Sequence, residues 1–78
     1  KLGRLMRLPT LKPSELIKAL KKAGFEELRQ SGSHLSLGNR NNGKIVTVPI
    51  HNRDLKRGLL FSIIKDAGIS QEDLAKLL

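Results

Sequence analysis

The sequence predicts an α+β protein, a two-layer αβββα(α) sandwich in which helices cover one face of a three-stranded antiparallel sheet. Three observations point there. Apolar residues recur at helical spacing in residues 13–23 and again in residues 57–67, and the residues between them include two runs that alternate polar and apolar side chains around an Asn-Gly pair. Strands with one apolar face need a cover, and two amphipathic helices supply it.

Helix one is predicted over residues 13–23, where Leu16, Ile17, Leu20 and Ala23 fall on one stripe. Pro13 suits the first helical position because its missing N–H would be unpaired there anyway. Glu15 complements the positive end of the dipole, and Gly24 follows as a left-handed cap. The opposite side carries Lys18, Lys21 and Lys22, three and four residues apart, which form either a solvated face or a binding surface.

The first strand, residues 25–30, has only Phe25 and Leu28 as apolar members and reads as an edge strand. Ser31-Gly32 supplies a turn. Residues 33–38 then alternate, with Leu35 and Leu37 on one face and His34 and Ser36 on the other. Asn42-Gly43 is a strong hairpin signal, because both residues tolerate positive φ. Residues 44–50 follow, with Val46, Val48 and Ile50 on one face and Ile45, Thr47 and Pro49 on the other; Pro49 should end regular pairing.

After the polar connector 51–55, helix two is predicted over residues 57–67, with Leu60, Ile63, Ile64 and Ala67 at helical spacing and Gly68 closing it. Ser70 with Asp73 three residues on starts a short last helix lined by Leu74, Leu77 and Leu78. The expected core joins Leu28, Leu35, Leu37, Val46, Val48 and Ile50 to Leu16, Leu20, Leu60, Ile63 and Ile64. The other sheet face, carrying His34, is left to solvent or a ligand.

Composition narrows the function. A chain of 78 residues has room for one domain and one modest core, so a second catalytic domain is excluded. KLGRL ahead of Met6 reads as a leftover linker over residues 1–5, with residues 6–78 as the single domain. Without cysteine, no disulfide or thiolate zinc site can form. No apolar run approaches the roughly 20 residues of a membrane helix, and no secretory signal is visible, so a soluble, cytoplasmic protein without membrane partners is expected. Fifteen Lys and Arg against seven Asp and Glu give a formal charge of +8, which suggests a polyanionic partner, nucleic acid first. Phe25 and Phe61 are the only aromatic residues, which argues against base stacking on aromatic platforms and for phosphate contacts.

Both histidines lie at the strand ends. If Asn42-Gly43 forms a two-residue turn, His34 faces His51; a four-residue loop closing Asn39 on Lys44 instead puts Pro49 opposite His34 and His51 diagonal to it. Two histidines without cysteine are too few for zinc, and no metal or other cofactor is expected. Imidazole suits acid-base work near neutrality, and RNA carries its own nucleophile in the 2′-hydroxyl. The plain alternative is an incidental polar residue on a strand.

From Arg7 to Leu78 the chain resembles the HicA, or YcfA-like, family of bacterial toxins. The residues that carry the likeness are Glu15 to Phe25 (ELIKALKKAGF), Gly32-Ser33-His34, Val46 to His51 (VTVPIH) and Leu55 to Ser70 (LKRGLLFSIIKDAGIS). The resemblance implies a fold like the double-stranded RNA-binding domain, activity as an mRNA interferase of a type II toxin-antitoxin system, and inhibition by a HicB antitoxin. The free toxin would be a monomer and the complex a hetero-oligomer. It places the catalytic histidine at His34. Gly32 and Ser33 would present it, and His51 would either support the site or serve the structure. The hairpin departs from the family's frequent Pro-Asp-Gly, having Asn41-Asn42-Gly43, and Arg57-Gly58-Leu59 stands where Pro-Gly-Thr is common.

For such a reaction, candidates to bind RNA and offset phosphorane charge are Arg29, Arg40 and Lys44 around the sheet, Lys56 and Arg57 at the start of helix two, and Lys18, Lys21 and Lys22 on helix one. Lys56 and Arg57 oppose the helix dipole, yet together with it they suit a phosphate; the alternative is mere exposure in the connector. Two rival readings explain the charge without His34: a non-catalytic RNA-binding module, and a basic domain that docks a protein partner.

Overall fold

The computed structural model describes residues 10–78, and the linker expected over residues 1–5 lies outside the described residues. The elements run α1 (Pro13–Lys22), β1 (Phe25–Ser31), β2 (His34–Asn39), β3 (Ile45–Pro49), α2 (Arg57–Ala67) and α3 (Gln71–Leu77). Each predicted element is present, with ends shifted by a residue or so. The first turn falls on Gly32-Ser33 rather than Ser31-Gly32, because Ser31 still pairs with His34.

Local chemistry accounts for the helix ends. Pro13 opens α1, and the Lys12 backbone N–H donates to Glu15 Oε1 at 2.8 Å, placing a carboxylate at the positive end of the dipole. Helix α2 stops at Gly68, whose φ of 74° lets Ile69 N–H reach back to the Ile64 carbonyl at 2.9 Å. Ser70 Oγ accepts the Asp73 N–H at 3.0 Å and starts α3. That last helix buries Leu74 completely and packs on both α1 and α2.

The strands form one antiparallel sheet in the order β1-β2-β3. Leu35 faces Val48 and Leu37 faces Val46, so both apolar pairs point toward the helices. Of the two possible hairpin registers, the four-residue loop forms: Asn39 N–H donates to the Lys44 carbonyl at 2.9 Å and Gly43 N–H to the Asn39 carbonyl at 2.8 Å. Side chains select it. Asn39, the one buried polar residue among the described residues, accepts the Asn41 N–H at 2.8 Å and donates through Nδ2 to the Ala23 carbonyl at 3.3 Å, tying the loop to the end of α1. Asn42 Oδ1 accepts the Lys44 N–H at 2.9 Å.

The core contains Leu16, Leu20, Leu35, Leu37, Val46, Val48, Leu60, Ile63 and Ile64 as expected, joined by Leu11, Phe25, Leu55 and Leu74. Two expected members are absent from it. Leu28 is 55% exposed because β1 carries a bulge there: Glu27 pairs with Leu37 and Arg29 with Ser36, leaving Leu28 without a partner. Ile50 is 37% exposed because the strand leaves the sheet at Pro49, although Ile50 N–H still donates to the Ser33 carbonyl. With both long helices on one face of the sheet, the αβββα core is consistent with the arrangement of the double-stranded RNA-binding domain. No helix among the described residues is long and apolar enough to cross a membrane.

Candidate nucleic-acid interface

The register arranges the open face of the sheet in cross-strand rows. Ser31, His34 and Pro49 form the first; Arg29, Ser36 and Thr47 the second; Glu26, Gly38 and Ile45 the third. Successive rows are two residues apart along β2, about 6.7 Å. His34 is therefore diagonal to both Arg29 and Thr47, at a spacing of about 7–8 Å between backbones that long side chains can span.

Two details shape this face. The bulge at Leu28 interrupts the alternation that starts at buried Phe25 and brings Arg29 to the same side as His34. Ser36 Oγ and Thr47 Oγ1 lie 3.4 Å apart, so one hydroxyl donates to the other and the pair keeps a proton to offer outward. Imidazole, guanidinium and hydroxyl donors thus share one exposed surface, a set suited to an anionic phosphate.

Gly32 turns the chain into β2 with φ of 59°, and Gln30 Nε2 donates to its carbonyl at 3.1 Å. A side chain at position 32 would be strained by that φ, whereas nothing lies within 4 Å to obstruct it sterically. Ser33 contributes its carbonyl to the Ile50 N–H, which holds the beginning of β2 against the end of β3. His34 follows as an exposed residue.

His51 is placed differently. Pro49, not His51, stands opposite His34, and His51 Nδ1 accepts the backbone N–H of Arg53 at 3.2 Å. One ring nitrogen is thereby committed to closing the connector.

The eight cations singled out in the sequence do not converge. Lys44 stretches across Gly68, with its Cε 2.9 Å from where a Cβ would stand, so α2 runs back from the connector toward the hairpin. Lys56 and Arg57 therefore begin α2 at the His34 end of the sheet, in the helical layer, where Arg57 covers the Phe61 ring at 5.8 Å. Arg29 is on the open face. Lys21, Arg40 and Lys44 lie at the far end of β2, which spans about 17 Å. Lys21 pairs there with Glu27 and Arg40 with Glu26 at 3.5 Å, while Lys22 Nζ donates to the Leu77 carbonyl at 3.2 Å. Lys18 and Lys22 line a groove between α1 and the chain's last residues.

Ser36 and Thr47 were not among the candidates from sequence. Their parity with His34 and Pro49 was readable, but the neighbourhood needed the hairpin register, which the sequence left at two values. Among the described residues, no group of three or more His, Asp or Glu side chains is placed to hold a metal ion.

In a comparison with protein families, a model described as HicA toxin of bacterial toxin-antitoxin aligns with residues 13–69, from the first residue of α1 to just past α2. Helix α3 lies beyond the matched span. No curated protein matches the chain.

Proposed function

The chain belongs to the HicA toxin family of bacterial toxin-antitoxin systems, and from that premise we propose that it is an mRNA interferase, a metal-independent endoribonuclease that uses His34 and is silenced by a HicB antitoxin. The observation that carries this reading is the exposed imidazole of His34 beside Arg29, Ser36 and Thr47 on an open sheet face. Messenger RNA as substrate implies action in the cytoplasm.

The chemistry requires two proton transfers. A base takes the proton of the 2′-hydroxyl as that oxygen attacks the adjacent phosphorus; an acid gives a proton to the departing 5′-oxygen as the P–O5′ bond breaks. The products are a 2′,3′-cyclic phosphate and a 5′-hydroxyl. His34 performs one of these transfers and water the other. Arg29 presents its planar guanidinium to the non-bridging oxygens, where charge grows in the phosphorane, and the Ser36–Thr47 pair donates to the same phosphate. Gly32 and Ser33 form the turn that presents the imidazole. Lys56 and Arg57 bind flanking phosphates near the start of α2. His51 serves the connector, since its Nδ1 is already engaged.

The experiment is cleavage of a defined RNA in EDTA, followed by analysis of the new ends. Cyclic phosphate and 5′-hydroxyl ends are expected, and a single 2′-deoxy substitution at the cut nucleotide should abolish that cut. Cleavage that survives the 2′-deoxy substitution, or that requires a divalent cation, contradicts the reading.

A further inference from the structure

The third row of the open face is unlike the other two. The bulge turns Leu28 out of the core and onto this face, where its Cδ1 lies 2.8 Å from the place a Cβ on residue 38 would take, so the leucine rests directly over Gly38. Ile45, paired with Gly38, flanks it from the other side and is 62% exposed. A bulge leaves one residue of the ladder unpaired, and here the residue it exposes is a leucine beside a second exposed aliphatic side chain. Glu26, Arg40 and Lys44 rim the shallow bay between them.

We propose that this Leu28–Ile45 ledge is the anchoring surface for the antitoxin, taking an apolar segment with acidic flanks. The proposal rests on the reading of the partner given above. Charge selects the occupant: Lys44 reaches away across Gly68 and Glu26 offsets its partner Arg40, but Arg29 in the next row leaves the surround net positive on a chain of net charge +8, which repels a second copy and attracts an acidic segment. RNA is a poorer fit, because the ledge is aliphatic and offers neither an aromatic platform nor a hydrogen-bond donor of its own. An occupant seated there lies two rows from His34, about 13 Å along β2, close enough for a modest segment to continue over the imidazole.

The test is calorimetric titration of the toxin with the antitoxin of its own pair, comparing the wild type with a Leu28→Thr/Ile45→Thr variant. Threonine keeps strand preference while removing the apolar contact. Antitoxin affinity should fall at least about a hundredfold, two steps of about tenfold, while RNA cleavage and melting temperature stay at wild-type values. Unchanged antitoxin affinity overturns the proposal, as does lost RNA binding or altered self-association with antitoxin binding intact. Should the double variant melt early, Arg40→Glu reads the same surface from a side chain that is 88% exposed, and unchanged affinity there is equally contrary. Failure of the wild type to bind the antitoxin would remove the partner reading and this surface together. Failure of the wild type to cut RNA would remove the reading of His34 alone.

Discussion

His34 stands directly opposite Pro49 across the β2–β3 ladder, so the two histidines of the chain are not cross-strand partners. The imidazole of His34 is exposed in a row with Ser31 and Pro49, whereas that of His51 closes a turn through Nδ1. The two residues therefore differ in what their loss should do.

Expression of the wild-type chain is expected to arrest growth, and His34→Ala to relieve the arrest. His51→Ala should keep it, at a stability cost of about 0.5–1.5 kcal/mol for the lost hydrogen bond. Colony counts after induction, with denaturant melts of both variants, check the distinction. Relief by His51→Ala without loss of stability would give that residue a part in the chemistry.

Much of this structure was readable in the sequence because its signals were redundant. Helix α1 had a proline start, a first-turn glutamate and an apolar stripe, and α2 had a stripe and a closing glycine. The alternation in β2 and β3 set which face carries His34 under either register. What sequence did not settle was decided by contacts distant in the chain. Asn39 selects the hairpin register by bonding Ala23, and the Leu28 bulge depends on a Gly38 ten residues on. The scatter of the lysines was hidden for the same reason: helical spacing put Lys18, Lys21 and Lys22 together, but Glu27 and the Leu77 carbonyl draw two of them apart.

Asn39→Ala should destabilise the fold by about 1–3 kcal/mol, since it leaves the Ala23 carbonyl and Asn41 N–H without their partner in a partly buried position. Urea unfolding reads the change as a lower midpoint at unchanged slope. Asn39→Asp should recover part of it through the retained acceptor for Asn41.

Arg29→Ala should lower kcat by about 10²-fold or more with a smaller change in KM, because its guanidinium acts on charge that develops in the transition state. Arg29→Lys should restore little, as a point charge lacks the parallel donors of the fork. Equal changes in KM and none in kcat would make Arg29 a simple RNA contact.

RNA affinity should fall with rising salt. Lys56→Ala and Arg57→Ala should each weaken binding and reduce the slope of log K against log salt by about 0.7–0.9. The same substitution at Lys21, whose ammonium is paired with Glu27, should change the slope less. Salt titrations by fluorescence anisotropy with a labelled RNA measure all three.

The central claim, that His34 moves a proton during RNA cleavage, is tested most directly by single-turnover cleavage with His34→Ala while RNA affinity is measured on the same preparation. Cleavage is expected to fall by about 10²–10⁴-fold with RNA affinity nearly unchanged. Cleavage by His34→Ala at the wild-type rate, with RNA still bound, would contradict the account.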